Sequence, residues 1–185
     1  MINHRKITQF ADVDISIPVE FFLDGKYENI QYLLKNAARK SISQMDNEIE
    51  EAKKSYDPVK GKIIPASVIK ILGILPRKLT GKFLRMFMNN HKKIKEMSGS
   101  VFVTMVSMFS GARGFVIPYM GGPKASAFAL GSTVKKPAVI KGEITVREYI
   151  NLTAVFNHDI IDGAPAAGFI NYLRKLVEKD YKNIV

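Results

Sequence analysis

Between positions 13 and 21 apolar and polar residues alternate, with Ile15, Ile17, Val19 and Phe21 on one side and Asp14, Ser16 and Glu20 on the other. A period of two marks a half-buried strand. "DGK" at 24–26 predicts a turn, and 29–34 predicts a second strand. The period then lengthens. Ser41 and Gln44 stand at capping-box spacing, and Ile42, Met45, Ile49 and Ala52 follow at steps of 3, 4 and 3. That is the apolar stripe of an amphipathic helix, which "YDPVKGK" breaks.

Residues 66–75 and 77–90 predict two further helices, divided at Pro76. The first is apolar almost all round. The second sets Leu79, Phe83, Met86 and Phe87 against Lys78, Lys82 and Arg85. A basic amphipathic helix can lie on a membrane surface. The pattern favours the other outcome, in which the stripe packs on the domain's own body.

The texture changes after position 99. "SVFVTMVSMF" (100–109) is a β-rich run with little charge, expected to be buried, and "GARG" and "GGPK" read as loops. The stretch 125–134 predicts another strand. "KKPAVIKGEITVREYINLTAVF" reads as a turn and then a long strand, in which Ile150, Leu152, Ala154 and Phe156 alternate with Asn151, Thr153, Val155 and Asn157. From Ala164, positions Ala167, Ile170, Leu173 and Val177 keep helical spacing to about Glu178. No internal repeat or low-complexity segment is present. The pattern predicts an α+β fold, one mixed sheet with helices against it.

Composition narrows the chemistry. The chain has 185 residues, 46% hydrophobic and 24% charged, the balance of one globular domain with a real core. The absence of cysteine excludes disulfides, thiolate metal sites and cysteine nucleophiles. The polar start "MINHRKITQF" has no apolar signal core, and no window of eighteen apolar residues exists, so a cytoplasmic location is expected. The net charge of +11 is uneven. Positions 53–95 hold twelve Lys and Arg and one acid, Asp57, so that 12 − 1 = 11 accounts for the whole excess. Such a block can meet nucleic acid, an anionic membrane surface or a phosphate-bearing cofactor, or be a solvated face; neither a nucleic-acid partner nor a membrane surface is expected.

Three histidines are scattered along the chain, and no metal-ligand spacing surrounds them, so no metal is expected. His4 and His91 have no chemical context. His158, in "FNHDIIDGAPAAGF" (156–169), stands where the last strand should end. Its ring can simply be satisfied by backbone. Asp162 can simply be the N-cap of the helix that opens at Gly163-Ala164-Pro165. The chemical alternative is a neutral imidazole taking a proton from a hydroxyl or thiol. With no G-x-S-x-G motif, it would activate the substrate's nucleophile rather than one of the protein's own.

"HDIIDG" resembles the H-x-x-x-D-G signature of the dihydrolipoamide acyltransferase catalytic domain, shared with chloramphenicol acetyltransferase. The likeness extends in order through "GSVFVTMVSMFSG", through "IPYMGGPKASAFALGSTVKKPAVIKGEITVREYINLTAVFNHDIIDGAPAAGFINYLRKLVE", and upstream through "LLKNAARKSISQMDNEIEEAKK". It implies a two-layer sandwich and a single catalytic domain over 1–185, with 57–97 as a basic helical insertion, no lipoyl or subunit-binding domain, and roughly the N-terminal third of the family's domain lacking. It implies His158 as general base toward the thiol of coenzyme A (a substrate) or dihydrolipoamide. It implies Asp162 as the residue holding local geometry through a salt bridge, and Thr104 as the hydroxyl on a buried strand that hydrogen-bonds the oxyanion. In the family the base and the hydroxyl meet across a trimer interface, so a homotrimer or an oligomer of trimers is implied. A second polypeptide supplying the lacking part is the further expectation, and a non-catalytic assembly subunit that keeps the fold is the alternative. Asp159 departs from the usual arginine and Thr104 from the commoner serine. Asn157 stands where the chloramphenicol enzyme has a second histidine, so that drug is not expected as a substrate.

Overall fold

The computed structural model describes residues 2–3, 6–23, 25–55, 73–74, 76–88, 90–106, 114–120 and 124–179. Two short strands, β1 (Ile2–Asn3) and β2 (Lys6–Ile7), pair with each other. Next come β3 (Ile15–Leu23) and β4 (Lys26–Leu34), a 3-10 turn at Ala37–Arg39, and α1 (Ile42–Ser55). Helices α2 (Arg77–Met88) and α3 (His91–Ser98) precede β5 (Val101–Met105). The chain then runs through β6 (Ser126–Ile140), β7 (Glu143–Phe156) and α4 (Gly163–Lys179). The main sheet has the order β4-β3-β5-β6-β7. The β3–β4 and β6–β7 pairs are antiparallel, and β5 runs parallel to both its neighbours. The mixed α+β sheet expected from the periodicities is what the chain adopts.

Local chemistry explains much of this. Gly25 takes φ +78, which a two-residue hairpin needs, and Leu23 pairs with Lys26 across it. Gln44 N–H donates to Ser41 Oγ at 3.2 Å, and Ser41 N–H donates to Gln44 Oε1 at 2.8 Å, closing the capping box that starts α1. Tyr32 Oη on β4 donates to Glu48 of α1 at 3.2 Å, which pins the helix to one face of the sheet. On the same face Phe169 of α4 lies 5.8 Å from Phe156 and 5.9 Å from Phe128, ring centre to ring centre. α1 and α4 on one face of the sheet make the two-layer arrangement. Val19, Phe21 and Leu34 are buried on that face, and Ala127 and Ala129 on the opposite one.

Asp14 joins four elements. Its Oδ1 accepts from the N–H of Asn36, and its Oδ2 is 3.1 Å from Nζ of Lys95 on α3. Its carbonyl accepts the N–H groups of Ser100 and Val101 at the start of β5. A Cβ at Gly99 would stand 2.8 Å from that carbonyl oxygen, and φ there is +69, so the corner requires glycine.

The structure corrects three expectations. "KKPAVI" is not a turn but the second half of β6; the reversal is at Lys141–Gly142, with φ of 52 and 89. The reason is topological. β5 pairs with β6 only over 126–130, so beyond that point β6 has one open side among the described residues, the setting in which a strand accommodates Pro137. The stripe of α2 is not packed away at its described side chains: Leu79 is 52% and Met86 66% exposed. β5 is only half-buried, and Met105 is exposed. The helix expected over 66–75 falls outside the described residues except at Gly73 and Ile74, as do most of "GARG" and "GGPK".

Candidate active site

β7 ends at Phe156, and the next six residues form the corner that leads into α4. Asn157 builds that corner. Its N–H donates to the carbonyl of Ala125 at 2.9 Å, tying it to the residue before β6. Its own carbonyl accepts the N–H groups of Ile160 and Ile161, both at 3.0 Å. Its side-chain Oδ1 accepts from the N–H of Asp159, also at 3.0 Å. The bonds bracket His158 on both sides, so its backbone is fixed although its side chain is exposed.

Asp162 sits at the helix entrance. Its carbonyl accepts the N–H of Ala166 at 3.1 Å, the first bond of α4, which makes it the N-cap residue as expected. Pro165 falls in the first turn, where its missing N–H is not needed. The side chain of Asp162 is exposed. Among the described residues neither Asp162 nor His158 has a side-chain hydrogen bond or ion pair.

Thr104 is on β5, half-buried, opposite Ala129 of β6, which in turn is opposite Thr153 of β7. Directly opposed residues share a face, so Thr104, Ala129 and Thr153 form a row on the face away from α1 and α4. Ala129 is fully buried, and the hydroxyl of Thr153 is buried without a hydrogen-bond partner among the described residues. From that row to Phe156 is three residues along β7 and two strand spacings across, or on the order of 14 Å. His158 lies two residues farther on. The structure therefore brings His158 and Asp162 to one corner and leaves Thr104 elsewhere on the same chain.

Two residues of this region were not picked out from the sequence. Asn157 has a readable signal, because Asn before a turn commonly bonds its own backbone two residues on. Thr153 has none: only the strand register places it in line with Thr104. Lys124, just before Ala125, is buried and donates to the carbonyl of Ser98 at 2.8 Å. Burial pushes its pKa below the usual lysine value. Among the described residues no group of three or more His, Cys, Asp or Glu is placed to hold a metal ion.

Residues 82–185 match the model of the 2-oxoacid dehydrogenases acyltransferase (catalytic domain) family. The chain is 37% identical over 93 residues to the lipoamide acyltransferase component of a branched-chain alpha-keto acid dehydrogenase complex from Pseudomonas putida; the match covers 49% of this chain and 21% of the relative. It is 28% identical over 174 residues to the dihydrolipoyllysine-residue acetyltransferase component of the pyruvate dehydrogenase complex from Zymomonas mobilis, covering 94% of this chain and 31% of that protein. Among solved structures, a probable dihydrolipoamide acetyltransferase from Listeria monocytogenes superposes with a TM-score of 0.62 at 24% identity, over 96% of this chain and 61% of that one. The cubic core of a pyruvate dehydrogenase multienzyme complex gives the same score at 16% identity, over 98% and 60%. These likenesses show the fold. The chain thus spans about a fifth to a third of the length of these two relatives and about three fifths of these two solved chains.

Proposed function

The chain belongs to the 2-oxoacid dehydrogenases acyltransferase (catalytic domain) family, and from that premise we propose that it moves an acyl group between two thiols, coenzyme A on one side and dihydrolipoamide or a similar acceptor on the other. The observation that carries this reading is the corner at 157–162. A rigid backbone presents the imidazole of His158 to solvent with no side-chain partner among the described residues.

In the step proposed, the neutral imidazole takes the proton of the acceptor thiol. The thiolate attacks the thioester carbonyl and forms a tetrahedral intermediate. The hydroxyl of Thr104 donates to the oxyanion, an interaction worth about 3 kcal/mol in comparable sites. Collapse of the intermediate breaks the bond to the first sulfur, which leaves as a thiolate and takes the proton back from the imidazolium. No acyl-enzyme is formed. Asp162 contributes its carbonyl, which accepts the first bond of α4; the salt bridge expected of its side chain is not formed among the described residues.

Thr104 cannot reach His158 within one chain, so the hydroxyl is supplied by a second copy, in a trimer or a larger assembly of trimers. Exposed apolar side chains support this arrangement: Phe115, Ile117 and Tyr119 before β6, and Val139, Ile144 and Val146 in the outer β6–β7 arm, are 72–90% exposed in the single chain.

Thioester exchange between acetyl-coenzyme A and dihydrolipoamide tests the reading. His158→Ala is expected to lower the rate by about 100- to 10,000-fold, with unchanged melting because the side chain is exposed. Thr104→Val is expected to be inactive as well. Co-refolding equal amounts of the two inactive variants should restore about one quarter of the wild-type rate if each site is built from two copies. Wild-type exchange that survives His158→Ala removes His158 as the base. No exchange by the wild type with any acyl donor assigns the chain to assembly rather than catalysis.

A further inference from the structure

Helix α2 is not used by the reading above. Positions 79, 83, 86 and 87 fall within about 100° of arc at helical spacing, and the cations 78, 82 and 85 occupy an adjacent arc of about 60°. Leu79 and Met86 are 52% and 66% exposed, and Ile74, one short step before the helix, is 85% exposed. From 73 to 95 the sequence has seven Lys and Arg and no acid. One of the seven, Lys95, is neutralised by Asp14; Lys92 and Lys93 on α3 are exposed.

We propose that α2, with the segment just before it, is a docking surface for an anionic lipid bilayer, lying in the plane of the interface with Ile74, Leu79 and Met86 inserted and its cations against the headgroups. Charge complementarity selects this occupant. The surface joins exposed large apolar side chains to cations of one sign, whereas protein-binding surfaces are depleted in lysine. No helix among the described residues is long and apolar enough to cross a membrane, which fits surface attachment rather than insertion across it. The inference is independent of the acyl-transfer reading.

The test is co-sedimentation of the full chain with phosphatidylcholine vesicles, with and without phosphatidylglycerol, at low and high salt. Binding is expected only with the anionic lipid, and weaker at high salt because the charges are screened. Lys78→Gln, Lys82→Gln and Arg85→Gln together should lower the partition coefficient about 100-fold, from roughly 1 kcal/mol per cation near the surface. Leu79→Ser with Met86→Ser leaves the charge intact and should still lower binding about tenfold through lost apolar burial. Thioester exchange by both variants should equal that of the wild type, so a failure here leaves the catalytic reading untouched. Absence of sedimentation at low salt overturns the proposal, as does equal binding to both kinds of vesicle. Full binding by the serine variant also overturns it, since no apolar side chain would then be inserted; capture by polyglutamate but not by vesicles overturns it and assigns the surface to an acidic polypeptide.

Discussion

The inner and outer halves of the β6–β7 ladder are one continuous antiparallel pair, yet their fates differ. In the inner half, Ala127, Ala129 and Gly131 are buried, β5 closes the other side of β6, and Phe128 and Phe156 meet Phe169 of α4. In the outer half, Val139, Ile144, Val146 and Ile150 share one face, and all are 45–79% exposed. Alternation thus reports that a strand has two unlike faces. It does not report that the apolar face is covered by the same chain. The inner half is covered by β5 and α4, whereas nothing among the described residues covers the outer half.

The sharpest test of the inner half is its anchor. Asp14→Ala leaves the ammonium of Lys95 poorly exposed and unpaired, and removes the acceptor of the Asn36 N–H. A loss of about 3 kcal/mol is expected, from the cost of breaking a buried pair on one side, measured as a lower urea midpoint. A fall below about 1 kcal/mol would mean that the junction is not what holds β3, α3 and β5 together.

The outer half should respond in the opposite way. Ile144→Asp with Val146→Asp is expected to leave single-chain melting within about 0.5 kcal/mol, since both side chains are exposed. Native mass should fall to that of the monomer, and thioester exchange should be lost with it. Retention of the assembly by this variant would move the interface off the arm.

The corner at 157–162 follows the inner half and carries the candidate base His158. Asn157→Ala removes one side-chain hydrogen bond, so a loss of about 1 kcal/mol in stability is expected. The turnover rate should fall more than that figure implies, because the turn that aims His158 loosens. Asn157→Asp keeps the acceptor and should restore most of the rate; failure of that rescue would make Asn157 structural only.

The smallest effect concerns Lys124. Its pKa is depressed by burial, so the unfolded chain holds the proton more tightly than the folded one up to about 10.5. Folding stability should therefore rise slightly as the pH approaches that value from below. Lys124→Met should abolish the rise in urea titrations at alkaline pH.

Elements legible in the sequence are those set by neighbours in the chain. The Ser41–Gln44 capping box, the turn at Gly25, the alternation in β3 and the N-cap position of Asp162 all depend on residues within a few positions of one another. The candidate base and the helix entrance were legible for the same reason, since both lie in one run of six residues. The end of β6 was not legible, because Pro137 reads as a strand breaker unless one knows that its strand has an open side. The exposure of α2 was equally hidden, since the same stripe would serve a packed helix.

What the sequence by itself determined is therefore the set of elements, their caps and the residues fit for acid–base work, because backbone sterics and side-chain periodicity act locally. Only the tertiary structure decided which faces are covered and which chemical groups can meet. The register Thr104–Ala129–Thr153 keeps the hydroxyl on the order of 14 Å from the strand end that carries His158. A strand cannot bend that distance away, so within one copy His158 and Thr104 are kept apart by the hydrogen-bonded sheet itself.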